Sequence, residues 1–400
     1  MWQSAKCRSV RLVAAVGVAV VVAVGVAACG SSSSGSQSST STTTSGNVAL
    51  QTQVVAGVPT LAQLYKGTQT APPTTGPAAV PGKKVIWISC GQESTGCSAP
   101  AAAAAQAAKA LGWKYSVLDG KFDENGAWAS AILQAIAEKP NAIIVHGINC
   151  NLAEPAFEAA KKAGVAVIGS VGSDDCNVTG GPALYATNVI PNATSSTGDA
   201  FFSEFGAQKA AYIIDKTDAK AKVIDMFLSD SDVAVNTGFL AMLKKCSTCS
   251  VVDEIPYTGA DQTPSGPLAQ DASTAIAQHA NANAMTVSFD TILGPDGGVG
   301  SELATIPAAK KLVIVGGEGT IVGMSLLRSA TSPLTAENGY DNGWIGWATM
   351  DALNRYFAHK PQVPEGFGTQ IVDRQHNLNA SGPYATSVDY KAAYLKVWKP

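Results

Sequence analysis

The sequence predicts an α/β protein built from two consecutive, doubly wound, Rossmann-like lobes, and three observations support this prediction. Short, continuously apolar segments alternate with amphipathic helical segments from residue 84 to residue 168. The same alternation restarts at residue 199 and continues to residue 358, although the sequence itself does not repeat. Charged residues make up only 14% of the chain, as expected where helices and sheets pack closely. Continuously apolar strands are buried on both faces, so each series predicts a parallel sheet covered by helices.

The first series predicts four strands and three helices. The strands are expected at residues 85–88, 114–118, 142–145 and 165–168, and the helices at residues 100–111, 124–138 and 155–163. The second helix places Trp128, Ile132 and Ile136 on one face, which is the spacing of an amphipathic helix lying on a sheet.

The second series repeats this pattern. Helices are expected at residues 199–216, 233–245, 268–280 and 341–358, and strands at residues 222–227, 251–255, 284–289 and 312–315. Parallel sheets of this kind bind ligands at the carboxyl ends of their strands. The loops that follow the strands are therefore where a functional site is expected.

The N-terminus predicts export and lipid anchoring. Basic residues precede an apolar run over residues 12–26, which is shorter than the roughly 20 residues that cross a bilayer as a helix. This pattern, with small residues before Cys29, is typical of a secretory signal peptide over residues 1–28. Cys29 stands where bacterial lipoproteins, which this segment resembles, carry their acylated cysteine. The alternative is an ordinary cleavage site followed by a chance cysteine. Two or more acyl chains would hold the protein stably at a membrane surface.

Residues 29–82 predict a flexible linker followed by a strap. Residues 30–46 are almost wholly Ser, Thr and Gly, which is the composition of a flexible spacer. Residues 60–66 are expected to form a short helix, and the Pro- and Gly-rich residues 71–81 are expected to lie along the first lobe.

The eight cysteines predict three disulfides. Cys7 leaves with the signal peptide and Cys29 takes lipid, and the other six form pairs close in sequence: Cys90 with Cys97, Cys150 with Cys176, and Cys246 with Cys249. An even number outside the cytoplasm indicates disulfides, although six cysteines allow about 15 pairings. A redox or zinc site at Cys246–Cys249 is the alternative. This C-x-x-C follows a helix instead of opening one, and no second C-x-x-C or nearby histidine accompanies it.

Composition and motifs argue against several classes of function. The net charge is −3 and no basic cluster occurs, so nucleic acids and anionic lipids are not expected as partners. The sequence contains no G-x-S-x-G elbow, phosphate-binding loop or H-E-x-x-H motif, and its four histidines lack metal-ligand spacing. We therefore expect no metal, no cofactor and no enzymatic activity. A secreted enzyme would need a nucleophile and a base that the sequence does not reveal.

Polar side chains follow the predicted strands of both lobes. Amides, hydroxyls and carboxylates with a few rings are the groups that a sugar or polyol site uses. Taken singly, each residue is equally well explained as a solvated loop residue or a helix N-cap. Because they collect at the strand ends of both lobes, we treat the following as candidate ligand-binding residues: Gln92, Glu93, Ser94, Thr95, His146, Asn149, Asp174, Phe227, Asp290 and Glu318.

Four segments, in order, resemble one known family. They are Lys-Ala-Leu-Gly-Trp-Lys-Tyr at residues 109–115, Lys-Pro-Asn-Ala-Ile-Ile-Val at residues 139–145, Ala-Ala-Lys-Lys-Ala-Gly-Val-Ala-Val-Ile at residues 159–168 and Val-Gly-Gly-Glu-Gly-Thr at residues 315–320. The last is similar to the family's V-G-F-D-G-T turn. Together they make residues 83–359 resemble the type I periplasmic sugar-binding proteins of the ribose-binding group. The resemblance implies a type I periplasmic binding protein fold with a three-segment hinge.

The resemblance also assigns roles to individual positions. Glu318 matches a ligand-binding Asp, Asp290 matches a ligand-binding amide, and Glu337 matches a Gln where the chain returns to the first lobe. Residues 92–95 occupy the loop that carries an Asn and stacking aromatic residues in sugar binders. No aromatic residue stands there in this chain.

The chain departs from the family pattern at its arginines. Val171 and Gly172 stand where the family has an Asp-Arg pair, and Val235 stands where it has a second Arg. These departures argue against ribose itself as the ligand and leave the fold unaffected.

The lobe boundaries follow from the resemblance. The first lobe is expected to comprise residues 83–187 plus 338–363, and the second residues 188–337 plus 364–400. The chain should cross between the lobes near Thr187–Asn188, near Glu337–Asn338 and at residues 361–366.

Taken together, these features predict an extracytoplasmic, lipid-anchored solute-binding protein of an ABC importer. A small polar solute, a sugar or polyol, would be captured by closure of the hinge and presented to an ABC permease, with the protein acting as a monomer. Two alternatives remain open at this point: a ligand-sensing module for a membrane receptor kinase, and a binder of a cationic metabolite.

Overall fold

The computed structural model describes residues 50–177, 180–231, 233–264, 266–295 and 297–399. The predicted signal peptide, the predicted lipidation site at Cys29 and the Ser/Thr/Gly spacer lie outside the described residues. None of the helices described there is both long and apolar enough to cross a membrane.

The first lobe contains a parallel sheet of five strands in the order β2-β1-β3-β4-β5. The strands are β1 (Lys84–Ser89), β2 (Lys114–Asp119), β3 (Ala142–His146), β4 (Ala166–Ser170) and β5 (Thr187–Asn188). The central strands β1 and β3 are apolar without alternation and almost wholly buried, because helices cover both faces of the sheet. In the observed register the carboxyl ends of the strands meet at one edge.

A short helix precedes this sheet and three helices pack on it. They are α1 (Leu61–Lys66), α2 (Thr95–Leu111), α3 (Ala127–Ala137) and α4 (Glu154–Lys162). The side chains of Thr60 and Gln63 form a capping box that starts α1. α2 begins at Thr95, earlier than predicted, because the Ser94 side chain caps it and the helix continues through Pro100.

The second lobe contains a sheet of six strands in the order β11-β10-β9-β8-β6-β7. The strands are β6 (Lys222–Leu228), β7 (Ser250–Tyr257), β8 (Ala284–Val287), β9 (Val313–Glu318), β10 (Ala336–Tyr340) and β11 (Thr369–Asp373). Only β10 and β11 pair in the antiparallel sense. The sequence does not predict β10, because Glu337 and Asn338 interrupt its apolar pattern although both are buried.

Among the described residues, the second lobe contains the α-helices α5 (Gly198–Lys216), α6 (Ala234–Leu243), α7 (Leu268–Gln278), α8 (Val299–Thr305) and α9 (Ile321–Arg328). α5 and α6 approach each other through Gly206 and Gly238, where an added side chain would collide with the backbone of the other helix. The predicted fold class, two doubly wound α/β lobes, is confirmed.

Three segments connect the lobes. The first follows β5, the second runs from β10 into α10 (Asn342–Phe357), and the third leads from α10 to β11. α10 packs on α2 of the first lobe. The first and third segments run side by side, because Ile190 forms a bridge with Pro364 and the Glu365 N–H donates to the Ile190 carbonyl over 2.9 Å.

The C-terminal tail corrects the predicted lobe boundaries. The resemblance places residues 364–400 in the second lobe, but α11 (Tyr390–Val397) packs on α10 of the first lobe. Trp398 stacks on Trp347 with ring centroids 5.5 Å apart, and Trp398 Nε1 donates to Asp351 Oδ1 over 2.6 Å. The tail therefore returns to the first lobe because its aromatic side chains are buried there, which the alternation of strands and helices does not reveal.

The strap before the first lobe lies on both lobes. α1 packs on β11 and α5 of the second lobe, and the Thr68 N–H donates to the Thr369 carbonyl over 2.9 Å. Farther along, the Val80 N–H donates to Asn354 Oδ1 of α10 over 2.9 Å. The strap thus forms a further link beside the hinge.

The six cysteines of the described residues form the three predicted bridges. Cys90–Cys97, Cys150–Cys176 and Cys246–Cys249 have Cα–Cα distances of 5.5, 5.5 and 5.3 Å. Cys150–Cys176 joins the loops after β3 and β4, as their neighbouring positions in the sheet predict.

Candidate ligand-binding cleft

A cavity of about 60 Å³ lies between the lobes, at the carboxyl ends of their strands. The first lobe and α10 contribute Cys90, Ser94, Gly96, Cys97, Phe122, Trp128, His146, Gly147, Val171 and Ile345. The second lobe contributes Phe202, Leu228, Asp230, Ser231, Gly259, Gln262, Phe289, Thr291, Glu318 and Tyr340. One water needs about 10–15 Å³ of this cavity volume, so the cavity has room for roughly five waters. Each water takes up about 30 Å³ in the liquid, so five waters correspond to about 150 Å³. That volume suits one small sugar ring and is too small for an oligosaccharide.

Direct contacts between the lobes close this cavity. Ser94 Oγ of the first lobe and Thr291 Oγ1 of the second lie 2.9 Å apart. At a second contact, Phe122 packs directly on Gly259, where an added Cβ would lie 3.0 Å from the Phe122 Cβ. The structure therefore shows the cleft in a closed arrangement.

Glu318 is the buried carboxylate of the cavity. It ends β9 in a left-handed conformation, with a φ of 84°, and such backbone strain in a non-glycine residue is often found at functional sites. Tyr340 Oη donates to Glu318 Oε1 over 2.8 Å. The carboxylate also approaches Gly96 of the first lobe so closely that no side chain would fit there. Glu318 thus places an acceptor where the two lobes meet.

Asp290 lies beneath the turn that carries Glu318. Its Oδ1 accepts from the Gly317 N–H over 2.9 Å, and its Oδ2 accepts from the Thr320 N–H over 2.8 Å and from Thr320 Oγ1 over 2.9 Å. These bonds fix the chain on both sides of Glu318. Asp290 does not line the cavity, because its side chain is fully buried and committed to this turn, and its contact with a ligand stays a prediction.

Glu337 and Lys209 lie in the same buried layer and also do not line the cavity. Burial, and then the neighbouring charge of Asp290, raise the pKa of Glu337 well above its usual value. Lys209 Nζ donates to the carbonyls of Val287 and Ser288 over 2.6 and 2.7 Å, and burial lowers the pKa of Lys209 to about 8. The expected contact of Glu337 with the ligand likewise stays a prediction. This layer supports the strand ends from which the cavity residues project.

His146 forms a neutral part of the cavity wall. Pro100 has no N–H, so the Gly96 carbonyl lacks its helical donor, and His146 Nε2 lies 3.3 Å from that oxygen. His146 Nδ1 lies 3.1 Å from Ser170 Oγ. These contacts assign the proton to Nε2 and let Nδ1 accept from the Ser170 hydroxyl. Because burial lowers the pKa of His146 to about 4, the ring carries no positive charge at neutral pH.

The cavity wall carries two acidic side chains among uncharged ones. Glu318 and Asp230 are its carboxylates, and neither Lys nor Arg occurs among the described residues that line it. Val171 lines the cavity at one position expected for the family's Asp-Arg pair, and Gly172 has no space for a side chain. Val235 is buried at the contact of α6 with α5, away from the cavity. The site therefore suits a neutral or cationic ligand better than an anion.

Comparison with known proteins identifies the family. Residues 85–360 match the family described as the periplasmic binding protein domain, which is more than half of the chain. The chain belongs to this periplasmic binding protein family. Members of the family bind solutes outside the cytoplasm and are not enzymes, which confirms the predicted absence of catalysis and the extracytoplasmic location. No curated protein is significantly similar to this binding protein in sequence.

Solved structures share its fold. A solute-binding protein of an ABC transporter from Burkholderia graminis C4D1M, in complex with D-arabinose, has a TM-score of 0.61 and 15% identity, covering 75% of this chain and 98% of that one. A periplasmic ribose ABC transporter from Conexibacter woesei DSM 14684 has a TM-score of 0.57 and 19% identity, covering 75% and 94%. An allitol-bound solute-binding protein from Agrobacterium vitis has a TM-score of 0.58 and 14% identity, covering 74% and 97%. These similarities confirm the type I periplasmic binding protein fold.

In this binding protein, the first-lobe loop brings one of its four candidate residues to the cavity. Ser94 lines it. The backbone N–H of Gln92 donates to Asp119 Oδ1 over 2.9 Å, so this residue joins the ends of β1 and β2. Glu93 and Thr95 are exposed and lie outside the cavity.

Asn149 and Asp174 hold loops of the first lobe. Asn149 Oδ1 accepts from the Ser173 N–H over 2.9 Å. Asp174 Oδ2 accepts from the Leu184 and Tyr185 N–H groups over 2.9 and 3.0 Å. Asp174 also lies near Cys150 and Cys176, but the two sulfurs are bonded to each other and are not available as metal ligands. Neither candidate lines the cavity.

Phe227 lies outside the cavity, and its neighbour Leu228 lies inside it. Successive side chains of a strand point to opposite faces, and Phe227 is paired with Pro256 in the interior of the β6–β7 ladder. The sequence-based interpretation therefore placed the residue that faces the cavity one position too early, at Phe227 instead of Leu228.

Sequence reasoning missed the aromatic walls of the cavity. They are formed by Phe122, Trp128, Phe202, Phe289 and Tyr340. The first two come from the segment after β2, for which the sequence analysis names no candidate residue. The rule that ligands bind at strand ends applies to every strand of the sheet, and its use after β2 and β7 would have found Phe122 and Gln262.

Proposed function

We propose that this chain is the lipid-anchored solute-binding component of an ABC importer, and that it captures one monosaccharide-sized sugar or polyol as a monomer. The closed cavity between the lobes is the observation that carries the proposal. It combines the volume of a single sugar ring with a buried acceptor, Glu318, and with aromatic walls.

The chemistry of the cavity suits a ligand with several hydroxyl groups and a less polar face. A carboxylate that accepts from a hydroxyl forms a charge-assisted hydrogen bond, worth about 1.5–3 kcal/mol. Ser94, Thr291 and Gln262 supply hydroxyl and amide groups that can donate or accept. Phe122 and Trp128 offer flat surfaces to the C–H face of a ring.

Hinge closure is the proposed mechanism of capture. The ligand would enter when the lobes are apart, and the contacts of Ser94 with Thr291 and of Phe122 with Gly259 would form as they close. The paired segments at Ile190 and Pro364 are suited to act as the hinge. The closed form would then be recognised by the permease, a role supported by the ABC-transporter proteins that share the fold.

The N-terminal sequence supports a tethered location. Acylation of Cys29 would hold the protein at the outer face of the cell membrane, and the Ser/Thr/Gly segment over residues 30–46 would give the lobes freedom to reach a permease.

A thermal-shift screen tests the proposed ligand class. The purified protein without its first 49 residues, which include none of the described fold, would be heated with D-ribose, D-arabinose, allitol, choline or citrate. A ligand at 100 times its Kd stabilises the folded state by about 2.7 kcal/mol. We expect a shift with at least one sugar or polyol and none with citrate. A shift with choline alone would replace the sugar assignment by the cationic alternative, because the carboxylates of the cavity can also bind a cation. No shift with any sugar or polyol would contradict the proposal.

A further inference from the structure

We propose that the Cys90–Cys97 disulfide is a positioning element of the ligand cleft, so that its reduction to two thiols weakens ligand binding while the fold persists. This inference rests on the binding function proposed above. Three groups of contacts support it.

The bridge forms part of the cavity wall. Both cysteines line the cavity, and the side chain of Cys97 is buried. Gly147, the residue after His146, lies so close that an added Cβ would be 3.6 Å from Cys90 Sγ. The sulfur atoms therefore lie beside the groups that would face a ligand.

The backbone of Cys90 holds two of the aromatic walls. The Cys90 carbonyl accepts from the Phe122 N–H over 2.8 Å and from Trp128 Nε1 over 3.0 Å. The Phe122 ring also packs on Gly91, where an added Cβ would lie 2.8 Å from Phe122 Cδ2. A shift of Cys90 would thus move both rings.

The other end of the bridge fixes the start of α2. The Ser94 carbonyl accepts from the Cys97 N–H over 3.1 Å, and Ser94 Oγ accepts from the Gly96 N–H over 3.2 Å. The short loop closed by the bridge contains Ser94, which meets Thr291, and Gly96, which meets both Glu318 and His146. The bridge therefore ties the end of β1 to the loop on which the second lobe closes.

The other two bridges provide a contrast. Among the described residues that line the cavity, Cys90 and Cys97 are the only cysteines. Cys246–Cys249 lies between α6 and β7, and it matches the cavity bridge in having one buried and one partly exposed cysteine. Stabilisation by a disulfide increases with the length of the loop it closes, and Cys90–Cys97 spans only 7 residues whereas Cys150–Cys176 spans 26. We therefore expect the fold to survive the loss of the cavity bridge.

The chemical step is an ordinary thiol–disulfide exchange. A dithiol reductant attacks one sulfur through its thiolate, forms a mixed disulfide, and then closes into a cyclic disulfide. Two electrons and two protons pass to the protein, the Cys90–Cys97 bond breaks, and two thiols remain. If the bridge favours ligand binding, the ligand must favour the bridge by the same factor.

The test compares two double variants. Cys90→Ser/Cys97→Ser removes the cavity bridge, and Cys246→Ser/Cys249→Ser is the matched control. Hydrogen exchange of the ligand-free proteins should become faster in residues 91–98 and 120–128 of the first variant alone, while exchange in β6 and β8 stays unchanged. For whichever of D-ribose, D-arabinose or allitol binds the wild type, the Kd should rise roughly 5- to 150-fold in the first variant and stay unchanged in the control.

A dithiothreitol assay on the wild type adds a readout that a merely structural bridge would not change. The bound sugar should slow reduction of Cys90–Cys97 and should leave reduction of Cys246–Cys249 unaltered. Alkylation of the thiols and peptide mapping measure the extent of reduction at each bridge. Unchanged exchange in residues 91–98 and 120–128, or an unchanged Kd, would overturn the proposal. If none of the three probes binds the wild type, the sugar assignment fails, and the exchange data still decide whether the bridge positions the cleft. Should the Cys90→Ser/Cys97→Ser protein not fold, reduction of the folded wild type followed by the same exchange measurement decides the question.

Discussion

Ser94 Oγ and Thr291 Oγ1 lie 2.9 Å apart across the cleft, one at the start of α2 and the other in the turn after β8. Neither hydroxyl is held by a strand, so their meeting depends on how the lobes close. Ser94 also caps α2 through the Gly96 N–H, whereas the Thr291 hydroxyl, among the described residues, forms a hydrogen bond with Ser94 alone. Thr291 is therefore the better position at which to measure the contribution of this contact to closure.

Thr291→Val should weaken ligand binding without lowering the stability of either lobe. The substitution keeps the shape of the side chain and removes one hydrogen bond worth about 0.5–1.5 kcal/mol, so the Kd should rise roughly 2- to 12-fold. Isothermal titration with the sugar or polyol found by the thermal-shift screen measures this change. Thr305→Val, at an exposed position of the same lobe, is the control and should leave the Kd unaltered. Equal Kd values for Thr291→Val and the wild type would show that this contact does not contribute to capture.

Phe122→Ala should weaken ligand binding by an amount near the upper end of the range expected for Thr291→Val. The ring lines the cavity and also packs on Gly259 of the second lobe, so its loss removes both a wall and a contact between the lobes. Burial of a large apolar side chain is worth about 1.5–3 kcal/mol, and the half-buried Phe122 should give a loss of binding near the lower value, about tenfold. Leu133→Ala, on the exposed face of α3, is the matched control for a surface apolar truncation. A Kd within twofold of the wild type would contradict the assignment of Phe122 to the site.

His146 should make the stability of the protein depend on pH between about 4 and 6.5. Burial lowers the pKa of His146 to about 4 in the folded state, whereas the unfolded chain keeps a value near 6.5. The unfolded state therefore binds more protons in this interval, so His146 adds stability above pH 6.5 that is lost as the pH falls towards 4. The loss from this group alone is about 3 kcal/mol.

Urea unfolding of the wild type and of His146→Gln at several pH values isolates this contribution. Buried acids such as Glu337 and Glu365 have raised pKa values and act in the opposite sense, but they are present in both proteins and cancel in the difference. The free energy of unfolding should fall less steeply for His146→Gln as the pH decreases. His359→Gln, at an exposed position, should follow the wild type. Parallel curves for His146→Gln and the wild type would mean that the ring is not buried as a neutral group.

The fold was predictable because its central strands are continuously apolar. β1 and β3 are buried on both faces, so their sequences differ clearly from amphipathic helices, and the order of elements then sets the topology. β10 was not predictable in this way, because its buried Glu337 and Asn338 are stabilised by the second lobe and resemble loop residues in sequence. The return of α11 to the first lobe was missed for a related reason, since it depends on the packing of Trp398 on Trp347.

The candidate site was less predictable than the fold because sequence places a residue at a strand end without its orientation. Asp290 and Glu318 both follow strands of the second lobe, yet Asp290 turns inward to hold the Gly317–Thr320 turn while Glu318 faces the cavity. Phe227 and Leu228 are neighbours in β6, and Leu228 lines the cavity whereas Phe227 does not. Phe122 follows β2, where the strand-end rule applies, but its contact with Gly259 of the other lobe could not be predicted because the two residues are far apart in sequence.

Cys29→Ser should separate lipid anchoring from folding. Without the sulfur to be acylated, we expect the protein either in the medium or as an unprocessed precursor, and no longer in the washed membrane fraction. Immunoblotting of fractionated cells measures this, and the Cys7→Ser protein, altered within the predicted signal peptide, should stay with the membrane. A processed Cys29→Ser protein that remains at the membrane would refute the anchor.

Glu318→Gln separates the two ligand classes that the acidic cavity allows. Against a sugar, the carboxylate acts as a strong acceptor for one or two hydroxyl groups, and the amide retains an oxygen in the same place. The Kd should then rise by roughly tenfold, since charge-assisted bonds exceed neutral ones by about 1–1.5 kcal/mol, and salt should have little effect. Against a cationic ligand such as choline, the loss of charge in a cavity without a compensating cation should abolish most of the binding, and wild-type affinity should fall steeply with ionic strength.

Titrations of the wild type and Glu318→Gln at low and high salt therefore give different patterns for the two classes. Glu302→Gln, a partly exposed position on α8 outside the cavity, controls for the change in net charge alone. Tyr340→Phe, which removes the hydroxyl that donates to Glu318 over 2.8 Å, should give a smaller loss in the same direction because the carboxylate remains but is less firmly held. If Glu318→Gln and Glu318→Ala both bind the identified ligand as tightly as the wild type, Glu318 does not contact it. The functional acceptor would then have to be sought at Asp230, the other carboxylate of the cavity wall.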